Sequence, residues 1–344
     1  MNPGGGSVGQ QRRQRIAVVT TSFPRHPDDP AGHFVRAEVE PLRARGHEVM
    51  VLAPQPAEGA VEAEPGVRWL PGGRAFGFPG ALARLRRKPL RAGFGAVRFV
   101  FAARRAIAEL APDKIIAHFL VPSAWPIARA RGAGTPELEV VAHGSDVRLV
   151  ARLPRHVRAR IASSLAGADV RCVSEELRQE LARALGPSIG RRIRVESSPL
   201  ELPARLTRPG ARALLGLGPD ERIVLVIGRL IASKRADSAL RAARAVPGAR
   251  VVVVGDGPER RVLERSFPEA LFVGQLGRRR ALAWIAAADL LLSASREEGA
   301  PSVVREARAL GTPVVAVAAG DLERWSQDDA ELWVVGPAAD GDAR

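Results

Sequence analysis

Short apolar runs alternate along this chain with segments in which apolar residues recur every three or four positions. Arg15–Thr21, His47–Ala53, Asp113–Ala117, Val140–Ala142 and Asp169–Val173 read as strands, as do Arg222–Ile227, Val251–Val254, Asp289–Leu292, Val314–Val317 and Leu332–Val335. Most are apolar along their length, the pattern of parallel strands covered on both faces by helices. Between the first two, Phe34, Val35, Val39 and Leu42 mark the inner face of a helix from about His33 to Arg45, closed by Gly46. After Leu292, Gly299 and Ala300 allow a tight turn and Pro301 suits the first position of a helix. Val303, Val304, Ala307 and Leu310 form its inner face, and Gly311 and Pro313 stop it. Repeated strand–helix–strand units predict the α/β class with doubly wound sheets.

After Ile193–Glu196 the chain reads S-S-P-L-E-L-P-A-R-L-T-R-P-G, whose proline density marks a linker. The predicted organisation is a flexible basic tail over 1–14, an α/β domain over 15–200 and a second over 201–344, whose regular structure starts near Ala211. A length of 344 residues is enough for two cores. No apolar run reaches the length of a transmembrane helix, and the N-terminus lacks the apolar segment of a secretory signal. Cys172 is the single cysteine, so there is no internal disulfide, and a reducing cytoplasm is the expected setting.

The net charge is +15, and Lys88, Lys114 and Lys234 are the only lysines. Such a balance favours anionic partners: phosphorylated ligands, nucleic acid or an anionic membrane. Aromatic residues are sparse and tyrosine is absent, which argues against a groove that stacks single-stranded nucleic acid. The basic region 81–105 interleaves Arg84, Arg86, Arg87, Lys88, Arg91, Arg98, Arg104 and Arg105 with Leu82, Leu85, Leu90, Phe94, Phe99 and Phe101. It is either a solvated helix packed on a sheet or a surface that docks on anionic lipid.

Several residues are candidates for chemistry. Glu306 falls beside the apolar face of its helix, where a carboxylate needs either an arginine partner or ligand hydroxyls. The free N–H groups at the start of that helix suit an anion. Arg229 and Lys234 lie five apart across a loop that opens a helix, a fit for a diphosphate or a chance pair of surface cations. His118 and His143 end strands, and ligands of open α/β sheets gather at the carboxyl ends of strands. Gly32 lies in the first strand–helix loop, as an ordinary loop glycine or one that lets the backbone approach a ligand; no G-x-G-x-x-G supports a dinucleotide.

The stretch E-G-A-P-S-V-V-R-E-A, with Glu298 and Glu306 as its carboxylates, resembles the E-x7-E signature of the retaining glycosyltransferases of family 4. Further motifs follow the family's order: the opening S-F-P-R-H-P-D-D-P-A-G-H, His143-Gly144-Ser145-Asp146, Ser174-Glu175-Glu176, Gly228-Arg229-x4-Lys234, Gly255-Asp256-Gly257-Pro258-Glu259 and Phe272-Val273-Gly274-Gln275-Leu276. The likeness runs from about Arg15 to Val335. It departs at Arg235, where the family has glycine, at Ala319-Gly320-Asp321-Leu322-Glu323, a weakened G-G-x-P-E, and at the linker, which lacks an Asn-Gly-Val-Asp-type turn. Family members of the GT-B fold usually continue with helices that cross back onto the first domain, and by that resemblance these are expected to be missing after Arg344.

The resemblance implies the GT-B architecture, two Rossmann-like domains facing across a cleft, and transfer of a sugar from a nucleotide diphosphate sugar to an acceptor hydroxyl with retention. It implies diphosphate binding by Arg229 and Lys234, ribose binding by Glu306, contact of Glu298 with the transferred sugar and of His118 with its face. Gly32, His143, Asp146, Gln275, Gly299, Ala300, Pro301, Ser302 and Val303 would complete the substrate site. No cofactor or metal is expected, and Asp340-Gly341-Asp342 is read as part of a polar tail. The acceptor would be a sugar or a lipid-linked sugar, and the setting cytoplasmic or peripheral at the inner face of the membrane. Rival readings are a nucleotide-sugar epimerase of the same fold, a catalytically silent sugar-nucleotide-binding protein, and a nucleic-acid binder that fits the charge alone.

Overall fold

The computed structural model describes residues 12–56, 61–76, 84, 88–128 and 136–336. Most of the tail over 1–14, residues 81–83 and 85–87 of the basic region, and Asp340-Gly341-Asp342 lie outside the described residues.

Two parallel sheets form. The first contains β1 (Arg15–Val19), β2 (Glu48–Pro54), β3 (Val67–Leu70), β4 (Lys114–His118), β5 (Glu137–Ala142), β6 (Asp169–Cys172) and β7 (Arg194–Val195), in the spatial order β3-β2-β1-β4-β5-β6-β7. The second contains β8 (Arg222–Ile227), β9 (Ala249–Val254), β10 (Leu271–Gly274), β11 (Leu290–Ser293), β12 (Val314–Val317) and β13 (Leu332–Val335), in the order β10-β9-β8-β11-β12-β13. In each sheet the order reverses beside the first strand, between β1 and β4 and between β8 and β11. That reversal opens a crevice at the carboxyl ends of the strands, where ligands of such sheets bind.

The continuous apolar strands have the expected cause. Along β8, Ile223 and Leu225 enter one core layer and Val224 and Val226 the other, so each face needs its own apolar set. Three strands escaped the sequence pattern: β7 is only two residues long, too short to carry one. β3 and β10 are edge strands whose residues are mostly half-exposed, so their apolar signal is broken. The helix His33–Ala44 follows Gly32 and buries Val35 and Val39 as expected. The helix Ser302–Ala309 starts one residue later than predicted, because Pro301 takes the capping position with extended backbone.

The sheets meet through loops at their carboxyl ends, and two contacts are reciprocal. Asp28, in the loop after β1, accepts from the backbone N–H of Arg279 at 2.6 Å, while its carbonyl accepts from that of Arg278 at 2.8 Å. A Cβ at Gly277 would lie 1.8 Å from the Asp28 carboxylate, so only glycine permits this approach. In the other direction, the buried Asp321 carboxylate accepts from the N–H groups of Glu175 at 2.9 Å and Glu176 at 3.1 Å. Each carboxylate thus covers the start of a helix in the opposite half.

Candidate functional site

The first domain builds its share of the site from the exits of β4 and β5. Asp146 is buried and its carboxylate accepts three backbone N–H groups, from Leu120 at 2.8 Å, His143 at 3.0 Å and Gly144 at 2.9 Å. Burial raises its carboxyl pKa, and those three amides work in the opposite sense. Asp146 was expected to touch substrate; its oxygens are instead occupied in tying the two strand exits together, so its part here is to shape the turn.

His118 also sits differently from expectation. It is 1% exposed, and its ring stacks on His143 with centroids 5.2 Å apart and Nδ1 3.0 Å from Nε2 of His143. So deep a ring has no surface to offer a sugar, whereas His143 is half-buried at the cleft side. Phe34 and Phe119 flank His143 with centroids 4.7 Å away on each count. Burial, then the nearby Arg171 guanidinium, pulls the His118 pKa down to about 3, and burial pulls His143 well below its usual value. Both rings are therefore neutral near pH 7, one donating and one accepting across their contact. Behind them Glu38 accepts from Arg171 and from Ser198 Oγ, the latter at 2.6 Å.

The second domain contributes charge. After β8 the loop leads through Arg229 and Lys234 into the helix Ala236–Ala243, and Lys234 donates to the Glu298 carboxylate. The two expected catalytic groups from separate loops therefore meet. Arg229 is exposed on the same loop. Arg235, in place of the family's glycine, has φ 47° and ψ 47°, a left-handed backbone that glycine takes without strain. The departure in sequence is thus a strained residue rather than a rebuilt loop.

The loop carrying Glu298 presses against the first domain. A Cβ on Gly299 would fall 2.8 Å from the His143 carbonyl and 2.7 Å from a Leu177 methyl, and Ala300 packs on the first domain's core. Arg148 donates to the Glu298 carbonyl at 3.0 Å. Pro301, Ser302 and Val303 follow at the start of the helix Ser302–Ala309, where no side chain caps the backbone N–H groups. On that helix Glu306 is 3% exposed and has a partner arginine: Arg278 Nη1 at 3.0 Å, with His33 Nε2 at 3.4 Å. The arginine alternative for Glu306 is the one seen. Arg278 and His33 are the site residues that sequence reasoning missed; a helix-opening Gly277-Arg278 pair gave no motif to find them by.

Gly32 has φ 71°, and a Cβ there would lie 2.6 Å from the Ser22 carbonyl, so the residue is conformationally required beneath the Ser22–Gly32 loop. Gln275 is exposed just beyond β10.

The family model described as Glycosyltransferase Family 4 matches residues 31–196, and the model for Glycosyl transferases group 1 matches residues 221–343. The chain belongs to this glycosyltransferase family. The catalytic scaffold of a group 1 glycosyltransferase is what the two crevices form, and the enzyme is a glycosyl transferase. It is 27% identical over 336 residues to TuaC of Bacillus subtilis, whose name assigns it as a glycosyltransferase to teichuronic acid biosynthesis; the match covers 90% of this chain and 82% of that one. Among solved structures, sucrose-phosphate synthase from Thermosynechococcus elongatus superposes with a TM-score of 0.74 at 24% identity, over 95% of this chain and 87% of that one. HepE of Anabaena in complex with UDP-glucose gives a TM-score of 0.63 at 16% identity, over 95% and 86%. The GT-B fold is thereby shown.

Among the described residues no helix is long and apolar enough to cross a membrane.

Proposed function

We propose that this glycosyltransferase moves a sugar from a nucleotide diphosphate sugar to an acceptor hydroxyl, with retention, in the synthesis of a cell-surface polysaccharide or glycolipid. The observation that carries the reading is the Lys234–Glu298 pair beside the uncapped start of the helix Ser302–Ala309. A leaving diphosphate develops charge as its glycosidic bond breaks, and preorganised donors aimed at it lower the barrier. Lys234, Arg229 and the N–H groups near Ser302 would take that charge, with no metal invoked. Glu298, released from Lys234 by the diphosphate, would accept from the sugar's hydroxyls. His143, held between Phe34, Phe119 and His118, would present a neutral ring to the sugar, with His118 as the group that positions it.

Glu306 would keep one oxygen on Arg278 and offer the other to the ribose. Gln275 and its neighbours would read the base. The UDP-glucose in HepE supports a nucleotide sugar as donor, and the likeness to TuaC supports a polymer or glycolipid product. The acceptor would be a sugar or a lipid-linked sugar, met by a cytoplasmic protein at the inner face of an anionic membrane through the region 81–105.

A thermal-shift panel of UDP, GDP, ADP and their sugar conjugates tests the donor. A ligand at a hundred times its dissociation constant stabilises the fold by roughly 2.7 kcal/mol. A selective shift with one diphosphate is expected; no shift with any of them would overturn the donor assignment.

A further inference from the structure

The helix Pro89–Leu110 is apolar on two opposite faces. Ala92, Gly95, Phe99, Ala103 and Ala106 are buried against the first domain. On its outer side Leu90, Phe94, Val97 and Phe101 follow at helical spacing and are 88%, 66%, 53% and 66% exposed. The other large exposed apolar residues described, such as Leu214, Val262 and Trp333, are scattered over the second domain. Scattered apolar residues need no explanation, whereas a continuous stripe on one helix marks a surface that meets an apolar phase.

The stripe is edged by cations. Arg91 and Arg98 stand two helical turns apart, exposed, with no carboxylate partner among the described residues, and the Arg98 guanidinium lies 5.8 Å from the Phe94 ring. Both arginines and Phe94 line a cavity of about 390 Å³ whose other wall is Gln55, Pro71 and Gly72, at the carboxyl ends of β2 and β3. The cavity therefore opens at the same end of the sheet as His143. The helix is mounted rigidly there: a Cβ on Gly72 would lie 2.4 Å from the Gly95 carbonyl. No acidic residue occurs in the helix before Glu109, which is engaged by Arg68 and Arg105.

We propose that this helix is a bilayer-docking surface: Leu90, Phe94, Val97 and Phe101 enter the headgroup–acyl boundary of an anionic membrane while Arg91 and Arg98 hold lipid phosphate. The inference rests on the membrane reading given above and names its residues and mode. Charge decides the occupant. A second copy of a chain of charge +15 would bring two arginine-edged faces together, whereas an anionic bilayer supplies both the opposite charge and the apolar layer.

The test is co-sedimentation of the full chain with vesicles of phosphatidylcholine alone or mixed with phosphatidylglycerol. The wild type is expected to sediment with the mixed vesicles. The double substitution Phe94→Ser with Phe101→Ser is expected to weaken that binding about tenfold or more. Arg91→Gln with Arg98→Gln is expected to weaken it roughly twentyfold on mixed vesicles and to flatten its salt dependence. Phe94→Leu, which keeps the apolar surface, should retain binding, and the nucleotide thermal shift of every variant reports its fold.

If the wild type binds vesicles and the phenylalanine pair makes no difference, this inference falls while membrane contact by charge stands. If the wild type binds no vesicle, both fall and the donor reading, carried by the thermal shift, is untouched. Displacement from vesicles by inorganic phosphate at matched ionic strength would make the arginines a free-phosphate site and overturn the proposal. So would a dimer, seen by light scattering, that the same phenylalanine substitutions dissociate.

Discussion

The two halves of the cleft are made of different materials. The first domain presents a neutral, packed wall: two stacked imidazoles, two phenylalanines and a carboxylate whose oxygens are occupied by backbone amides. The second presents charge held in ion pairs, Lys234 with Glu298 and Glu306 with Arg278. In the proposed transfer negative charge develops on the leaving diphosphate, so cations held ready on the second domain's loops are what it needs. A sugar ring held in one pose needs a surface of fixed shape, which a rigid neutral wall provides.

Removing charge should therefore hurt more than altering the wall. Lys234→Ala is expected to lower turnover by roughly a hundredfold to a thousandfold, the range for losing one preorganised donor to a developing anion. Measuring kcat with the donor chosen by thermal shift checks this, and a change of less than threefold, within about 0.7 kcal/mol, would end the comparison.

Glu306→Ala comes next. It leaves Arg278 with its chief partner gone in a largely buried position and should cost about 3 kcal/mol of stability. Adding Arg278→Ala should restore part of that loss, as read from urea midpoints, while neither variant regains nucleotide binding. Full nucleotide affinity in the double variant would show the carboxylate to be structural.

The neutral wall has its own signature in pH. The folded pKa values of His118 and His143 are depressed, His118 to about 3, so the unfolded chain takes up protons first as pH falls below about 6.5. Stability due to them is fully present above that pH and is lost on acidification, for His118 by about 1.4 kcal/mol per pH unit down toward pH 3. In His118→Gln the slope between pH 7 and pH 5 should flatten; an unchanged slope would place the protons elsewhere. The smallest effect concerns the strained loop: Arg235→Gly should raise stability by about 1 kcal/mol by relieving a left-handed non-glycine residue. A lower melting temperature would refute the strain.

The charged half was the more legible in the sequence. Lys234 stands out in a chain built on arginine, and Glu298 and Glu306 keep a fixed spacing on one loop and helix. The continuous apolar strands were equally plain, because each central strand feeds two core layers. The wall was harder to read. Which of His118 and His143 faces outward depends on how the exits of β4 and β5 cross, and Asp146 settles that through three amides from two separate loops. Arg278 pairs with Glu306 across 28 positions, a distance at which spacing carries no information. Edge strands β3 and β10 lacked a pattern because their outer sides meet little protein.

The reciprocal covering of helix starts by Asp28 and Asp321 makes the two lobes incomplete alone. When they part, two rows of backbone N–H groups lose their acceptors at once, and water must replace them. The opening stroke therefore carries a fixed toll on top of any substrate contact, about 1 kcal/mol for each end by the usual worth of such a cap. A lobe expressed by itself would leave the first N–H groups of its covered helix open at its crevice.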